Sequence, residues 1–206
     1  MLTIGLTGGI GCGKTTITQL FEQRNVPVVD ADVISHAIVQ PGQPALITLK
    51  KSFGEQILLP DGSLDRSYLR ELVFSEPDKK AALENILHPI IYTTMYQALQ
   101  QADYPYGILS IPLLLETQHQ DKVDRVLVID CPEEVQIERV KKRDQLNDAM
   151  IASIMRSQCS RSIRLSNADD ILVNNESLES LNAKVQKLHE FYLKMSAGKN
   201  NSYTAK

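Results

Sequence analysis

The chain has 206 residues, of which 43% are hydrophobic, and its formal net charge is −3. This length predicts one domain with room for an inserted module, and the composition suffices for a substantial hydrophobic core. The negative charge gives no support to a nucleic-acid partner or a membrane surface, and no apolar stretch reaches membrane-spanning length.

Cysteine usage and the N-terminal sequence indicate the compartment. Cys12, Cys131 and Cys159 are too few and too scattered for a disulfide framework or a zinc site. Residues 1–30 lack the basic segment and the long apolar core of a signal peptide. We therefore expect a soluble, cytoplasmic protein, and nothing in the sequence implies a protein partner.

The first element carries the strongest motif. Leu2, Ile4 and Leu6 belong to a short apolar run that predicts a buried strand. Residues 8–15 then fit the phosphate-binding pattern G-x-x-x-x-G-K-[ST], and apolar residues return at helical spacing from Ile17. Glycines let successive N–H groups point at one anion, and the new helix adds its positive N-terminal dipole. The segment therefore predicts an ATP-phosphate site rather than a simple glycine-rich turn.

Individual residues of this loop have predicted roles. We expect Lys14 to reach the outer phosphates and the Thr15 hydroxyl to hold Mg²⁺. The residues predicted to bind ATP from this segment are Gly9, Gly11, Cys12, Gly13, Lys14, Thr15 and Thr16.

A second strand is predicted over Val26–Asp30, followed by Ala31 and Asp32. Ligands of open α/β sheets bind at the carboxyl ends of the strands, so both acids are expected on the edge that carries the phosphate loop. Two acids there suit metal-binding or proton-accepting roles. One of them can instead cap the helix predicted over residues 33–39, and this structural role suits Asp30 better than Asp32.

The next clear strand begins only at Gly107, much farther along the chain than one crossover helix requires. This extra length of chain predicts an inserted helical module over residues 31–106. One of its helices is predicted to start at Pro77 and to break at His88-Pro89, after which a helical pattern resumes. His88 at such a junction suits a structural cap better than a catalytic group.

The almost wholly apolar run Ile108–Leu115 predicts a fully buried central strand. Glu116 would then lie at its carboxyl end, where it is either a site residue or a loop acid. A fourth strand is predicted over Val123–Asp130, and Pro132 with the acids after it opens the following helix.

Basic residues are concentrated in the next segment, where residues 139–164 hold Arg139, Lys141, Lys142, Arg143, Arg156, Arg161 and Arg164. Guanidinium groups bind phosphate oxygens and stabilise the charge that develops during phosphoryl transfer. The arginines therefore favour a mobile helical lid over about residues 132–165, with Arg156, Arg161 and Arg164 on its second helix. Lys141 and Lys142 are expected to be ordinary solvated charges.

The C-terminal part completes the predicted core. Residues Asp169–Asn175 are predicted to form the fifth strand and the residues that directly follow it. Ser177 can cap a final amphipathic helix. Residues 196–206 lack a pattern and are predicted to be a flexible tail. The phosphate-loop core is thus predicted to comprise residues 1–30 and 107–195.

With these elements in place, the chain resembles the dephospho-coenzyme A kinase family from about Leu2 to Tyr192. The segments that carry the resemblance are Leu6–Thr15, Asp30–Asp32, Asp61–Leu64, Leu87–Pro89, Pro112–Glu116, Arg161–Leu165 and Ala168–Asp170. The resemblance implies an α/β fold like that of nucleoside monophosphate kinases, with a five-stranded parallel sheet ordered 2-3-1-4-5 and helices on both faces. It also implies that ATP phosphorylates the ribose 3′-hydroxyl of dephospho-coenzyme A, giving coenzyme A and ADP in the last step of coenzyme A biosynthesis.

The resemblance also implies roles for site residues. Asp32 is the expected base, and Arg139 is expected to contact the reacting groups from the lid. Arg164 and Asn174 would lie near the adenine of ATP, and the inserted helices around His88 would hold the acyl-carrier end of the acceptor. The residues expected to bind the acceptor are Thr7, Asp32, His88, Glu116 and Arg139.

Two departures from the family pattern stand out. Cys12 lies where the family usually has Ser, and His36 lies where an Arg is common. Cys12 is either reactive, because a helix N-terminus and Lys14 favour its thiolate, or buried and inert.

Alternative functions follow from the phosphate loop alone. A GTPase-like switch would normally carry the guanine-reading sequence Asn-Lys-x-Asp, which is missing. Another metabolite kinase and a non-catalytic adenine-nucleotide sensor remain open, and product formation with a panel of hydroxyl acceptors separates them.

Overall fold

The computed structural model describes residues 1–203, with side chains described through residue 198. Within this range one parallel sheet has the strand order β2-β3-β1-β4-β5, which confirms the predicted fold. The strands are β1 (Leu2–Gly8), β2 (Val28–Asp30), β3 (Tyr106–Ser110), β4 (Arg125–Asp130) and β5 (Asp170–Val173).

Helices connect and follow these strands. Between β1 and β3 lie α1 (Lys14–Glu22), α2 (Ala31–Ala37), α3 (Pro44–Phe53), α4 (Arg66–Ser75) and α5 (Pro77–Gln100). After β4 come α6 (Glu133–Asp144), α7 (Asp148–Ser157), α8 (Arg161–Ser166) and, after β5, α9 (Leu178–Tyr203). None of these helices, as far as the structure describes them, combines the length and apolar character needed to cross a membrane.

The chain divides into two compact units. Unit 1 comprises Met1–Val28 together with the chain from Leu99 onward, and unit 2 comprises Val29–Ala98. In unit 1, β1 lies between β3 and β4, with Leu6 in register with both Ser110 and Leu127. Leu2, Ile4 and Leu6 on one face of β1 are almost fully buried, and Gly5 and Thr7 on the other face are buried as well, as a central strand of a parallel sheet requires.

Unit 2 is built from helices. Its core consists of the buried residues Ile38, Val39, Ala45, Leu49, Phe53, Ile57 and Leu69. The helix break predicted at His88-Pro89 is wrong, because α5 runs through Pro89 without interruption. Proline removes one helical hydrogen bond, but apolar residues on both sides of it, including Leu87 and Ile90, pack against this core. Their burial offsets the lost bond.

Two further boundaries differ from the sequence-based prediction. The strand predicted over Ile108–Leu115 ends at Ser110, because the N–H of Ile111 makes a last bond to β1 and Pro112 has no N–H to continue it. Glu116 therefore lies in the turns after the strand rather than at its end. The helix predicted to carry Arg156 with Arg161 and Arg164 is two helices, since the Ser160 hydroxyl caps α8.

At the C-terminus, α9 continues past Ser196 to Tyr203, so the tail predicted over residues 196–206 is helical as far as the structure describes it. Residues 204–206 of that predicted tail lie outside the described residues.

Candidate active site

The phosphate loop connects β1 to α1 and owes its shape to two glycines. Gly11 and Gly13 have φ angles of 77° and 86°, in the left-handed region that other residues rarely adopt. Space excludes larger residues as well: a Cβ on Gly13 would lie 2.3 Å from the Asn174 amide nitrogen, and one on Gly11 would lie 2.7 Å from the Gln136 carbonyl oxygen. The loop is thus shaped by its own glycines and by residues from distant parts of unit 1.

Lys14 folds back over this loop. Its Nζ donates hydrogen bonds to the carbonyl oxygens of Gly8 at 2.8 Å and of Gly9 at 3.4 Å. Thr15 and Thr16 follow in the first turn of α1, which contains no acidic residue. The positive end of the helix dipole is therefore not neutralised locally, as an anion-binding helix start requires.

The Cys12 side chain points into the core. It is 1% exposed, and its sulfur lies 3.3 Å from the sulfur of Cys131, while its carbonyl oxygen accepts a 2.7 Å hydrogen bond from Asn174 Nδ2. A hydrogen bond from Cys131, together with the charges of Lys14 and Arg164, lowers the pKa of the Cys12 thiol, although burial opposes this shift. The structure therefore combines the two alternatives for Cys12: the thiol is buried, yet its surroundings favour the thiolate.

Arginines from α6 and α8 meet the same region of unit 1. Arg139 approaches the Gly11 carbonyl oxygen at 3.5 Å. Arg164 is 8% exposed, and its guanidinium donates to the Cys159 carbonyl. Arg161 makes two hydrogen bonds, of 2.8 and 2.6 Å, to the buried carboxylate of Asp130. These hydrogen bonds raise the pKa of Arg161 further above its ordinary value, so both charges are held as an ion pair.

Two cavities lie beside these arginines. One, of about 310 Å³, is lined by Glu133, Gln136, Met155, Arg156, Gln158, Cys159, Ser160, Arg161 and Arg164. The other, of about 260 Å³, is lined by Gly13, Thr16, Arg139, Asn174, Glu176, Leu178 and Leu181. The second cavity brings the predicted residues Arg139 and Asn174 together with the phosphate loop.

Two glutamines at the loop were not predicted from the sequence. Gln158 Oε1 accepts a 2.9 Å hydrogen bond from the backbone N–H of Ile10, and buried Gln136 donates a 3.1 Å hydrogen bond to the Cys131 carbonyl. Neither glutamine belongs to a sequence motif that indicates phosphate binding. The one available signal was for Gln136, which lies four residues before buried Val140 on the inward face of an otherwise charged helix.

Two predicted acceptor residues of unit 1 are engaged with the backbone. Thr7 is buried and its hydroxyl donates to the Pro112 carbonyl oxygen at 3.2 Å. Glu116 is half-buried, and its Oε1 accepts a 2.8 Å hydrogen bond from the N–H of Cys159, between α7 and α8. Glu116 thus ties the turn after β3 to the predicted lid.

The predicted residues of unit 2 have distinct settings. Asp30 is the N-cap of α2, since its Oδ1 accepts hydrogen bonds from Asp32 N at 2.8 Å and Val33 N at 3.3 Å. Asp32 lies exposed in the first turn of the same helix. On α5, half-buried His88 contacts the Tyr92 ring edge to face at 6.3 Å between centroids.

The described residues contain no group of three or more His, Cys, Asp or Glu side chains arranged to hold a metal ion. Mg²⁺ needs no such group when a nucleotide supplies phosphate oxygens, because it keeps several waters and takes one or two protein oxygens. The exposed Thr15 hydroxyl, next to Lys14 at the start of α1, fits this mode of binding.

Comparisons with known proteins agree with this arrangement. A family model described as dephospho-CoA kinase matches residues 2–180. The dephospho-CoA kinase of Methylococcus capsulatus is 46% identical over 197 residues, which are 96% of this chain and 100% of the relative. The solved Thermus thermophilus protein TT1252 has a TM-score of 0.82 at 30% identity, with 92% of this chain and 96% of that chain covered. The dephospho-CoA kinase from Campylobacter jejuni has a TM-score of 0.69 at 26% identity, with 96% and 98% covered.

Proposed function

Because the chain belongs to the dephospho-CoA kinase family, we propose that it transfers the γ-phosphoryl group of ATP to the ribose 3′-hydroxyl of dephospho-CoA. Family membership makes the protein a kinase that uses ATP to phosphorylate dephospho-CoA in coenzyme A biosynthesis. In the proposed step the hydroxyl oxygen attacks the γ-phosphorus and the bond to the β,γ-bridging oxygen breaks. The products are coenzyme A and ADP, and the hydroxyl proton passes to the protein.

The phosphate loop carries this proposal. Its left-handed glycines and the undisturbed positive start of α1 support binding of the ATP phosphates by backbone N–H groups. In this scheme Lys14 exchanges its contacts with the Gly8 and Gly9 carbonyls for the outer phosphate oxygens. The loop therefore holds the donor and offsets the charge that develops on it.

The arginines are proposed to divide their tasks. Arg139 borders the cavity that also contains Gly13 and Thr16, which supports a contact with the transferring phosphoryl group. Arg164 and Asn174 are proposed to border the nucleotide, and Asn174 also fixes the loop through the Cys12 carbonyl. Arg161 is already paired with Asp130, so we assign it a structural role.

For the acceptor, we propose Asp32 as the group that orients the hydroxyl and accepts its proton. The Asp30 carboxylate caps α2, which leaves Asp32 as the better candidate of the two acids. His88 on α5 is proposed to help hold the acyl-carrier end of dephospho-CoA. The engagement of Thr7 and Glu116 with backbone groups supports positioning roles for these two residues.

Mg²⁺ is proposed to accompany ATP, with the Thr15 hydroxyl as its protein ligand. When bound, the ion neutralises negative charge on the phosphate oxygens.

The activity is tested with ATP and a panel of acceptors that includes dephospho-CoA, 3′-deoxy-dephospho-CoA, adenosine and a simple sugar. We expect rapid product formation with dephospho-CoA and none with the 3′-deoxy analogue, and phosphorus NMR of the product should place the new phosphate on the 3′-oxygen. Equal turnover of the 3′-deoxy analogue would overturn the assigned hydroxyl. Nucleotide binding without turnover of any acceptor would instead favour an adenine-nucleotide sensor.

A further inference from the structure

Two cysteines that are 119 positions apart in the sequence meet inside unit 1. Cys12 belongs to the phosphate loop and Cys131 directly follows β4, and their sulfurs are 3.3 Å apart. Both are free thiols, with exposed fractions of 1% for Cys12 and 0% for Cys131. The proposed kinase reaction uses neither thiol.

The fold explains why the two sulfurs meet. β1 and β4 are parallel neighbours with Gly8 in register with Ile129, so the loop after β1 and the residue after β4 emerge at the same edge of the sheet. Each cysteine backbone is then held by a side-chain amide: Asn174 binds the Cys12 carbonyl, and Gln136 binds the Cys131 carbonyl. The fold therefore holds both cysteines in place at this edge of the sheet.

The surroundings of Cys12 favour reaction at its sulfur. Cys131 donates a hydrogen bond to that sulfur, and the positive charges of Lys14 and Arg164 act in the same direction, so the pKa of Cys12 is lowered. The hydrogen bond that Cys131 donates to Cys12, together with burial, raises the pKa of the Cys131 thiol, which stays protonated. One thiolate beside one thiol is the arrangement that turns an oxidised sulfur into a disulfide.

We propose that Cys12 and Cys131 form a reversible disulfide when the protein meets a peroxide, and that this bond shuts off ATP binding at the phosphate loop. The Cys12 thiolate attacks one peroxide oxygen, the O–O bond breaks, and a sulfenic acid and hydroxide form. Cys131 then gives up its proton as its sulfur attacks the sulfenic sulfur, so that the S–S bond forms and the sulfenic oxygen leaves as water with that proton. Overall, two thiols lose two electrons and two protons, and one hydrogen peroxide becomes two waters.

The effect on the loop follows from its geometry. A covalent bond between the sulfurs is shorter than their present contact, so its formation draws Cys12 toward the end of β4. Cys12 lies between Gly11 and Gly13, whose conformations depend on close contacts with Gln136 and Asn174. Moving Cys12 therefore displaces the N–H groups proposed to bind the phosphates. This inactivation rests on the proposed ATP site, whereas disulfide formation does not.

Peroxide treatment of the reduced, full-length protein tests the proposal, because hydrogen peroxide is small enough to enter during local opening of the loop. Mass spectrometry of a non-reducing digest should find the peptides of Cys12 and Cys131 joined with the loss of two hydrogens. ATP-dependent turnover and binding of a fluorescent ADP analogue should both fall at least ~10-fold, a coupling of ordinary size for a two-state switch. A dithiol reductant should restore both.

Variants separate the pair from general oxidation, each one compared with its own untreated activity. Cys131→Ser should resist the treatment, with Cys131→Ala as a second variant if the first folds poorly. Cys159→Ser should respond as the wild type does, because Cys159 lies outside the pair. Absence of the joined peptides overturns the proposal, as does equal sensitivity of Cys131→Ser and the wild type. Joined peptides with unchanged analogue binding overturn its regulatory part, and lack of kinase activity in the reduced protein refutes the proposed function instead.

Discussion

The two compact units bury their cores to different depths. In unit 1, sheet residues such as Ile4, Leu6, Leu127 and Ile129 have no exposed surface, since helices and neighbouring strands cover them. The helical core of unit 2 has a few fully buried residues, such as Leu49, and many partners that are only partly buried. A deeply buried sheet gives a rigid base to the phosphate loop, whereas a shallower helical core is easier to adjust.

The proposed catalytic residues follow the same division. Lys14 begins a helix with several buried residues and contacts a loop shaped by Gln136 and Asn174. Asp32 lies on α2, a seven-residue helix without a single buried residue. We infer that unit 1 holds the donor in a preorganised site and that unit 2 adapts to the acceptor. Each of the following predictions tests one side of this contrast, in order of decreasing effect on activity.

The largest loss is expected for Lys14→Ala in unit 1. The loop keeps its glycines and its core contacts, so the fold should remain, but the phosphates lose their cation. We expect turnover to fall ~1,000-fold, as when one preorganised donor to developing charge is removed. Steady-state product formation measures the loss, and circular dichroism checks the fold. Lys187→Ala, on the exposed face of α9, is the control; near-normal turnover by folded Lys14→Ala protein would contradict the donor site.

A smaller loss is expected for Asp32→Asn in unit 2. If Asp32 accepts the hydroxyl proton, the catalytic constant should fall ~100-fold, the lower range for a general base, while ATP affinity stays unchanged. Asp78→Asn is a matched control, because Asp78 is also exposed in the first turn of a helix of unit 2. A change in the Michaelis constant alone would show that Asp32 helps binding and not proton transfer.

A still smaller loss is expected for Arg139→Ala on α6. Its guanidinium lies 3.5 Å from the Gly11 carbonyl oxygen and is proposed to turn toward the transferring phosphoryl group. We expect the catalytic constant to fall ~10-fold, which corresponds to about 1.4 kcal/mol of transition-state stabilisation. Lys141→Ala on the same helix should have no such effect, because Lys141 is exposed and pairs with Asp148. Equal, small effects of both variants would mean that the segment is an ordinary charged surface.

The smallest effect on activity is expected for Leu49→Ala in the core of unit 2. Leu49 has no exposed surface, so its truncation should lower the free energy of unfolding by about 2–5 kcal/mol. Below the unfolding temperature, ATP affinity should not change, because the proposed donor site belongs to unit 1. Chemical denaturation and nucleotide titration measure the two quantities. Ile47→Ala, half-exposed on the same helix, should alter neither; a parallel loss of ATP affinity in Leu49→Ala would show that the units are not independent.

The sequence alone was sufficient to predict those features that depend on the conformation of a single short segment. Glycine spacing identified the phosphate loop, because residues other than glycine rarely adopt the left-handed conformations at Gly11 and Gly13. Apolar runs located the strands to within a few residues, since a parallel strand is buried on both faces. The N-cap role favoured for Asp30 was also readable, because a capping acid needs only its own helix. The strand order came from the family resemblance and not from the pattern.

Contacts between distant segments were decided only by the tertiary structure. The Cys12–Cys131 pair, the Asn174 bond to the loop and the Gln158 bond to Ile10 join residues 119, 162 and 148 positions apart. The continuity of α5 through Pro89 depended likewise on apolar neighbours supplied by the rest of unit 2. Sequence periodicity reports how a residue relates to its own helix or strand, whereas these contacts depend on which elements the fold brings side by side.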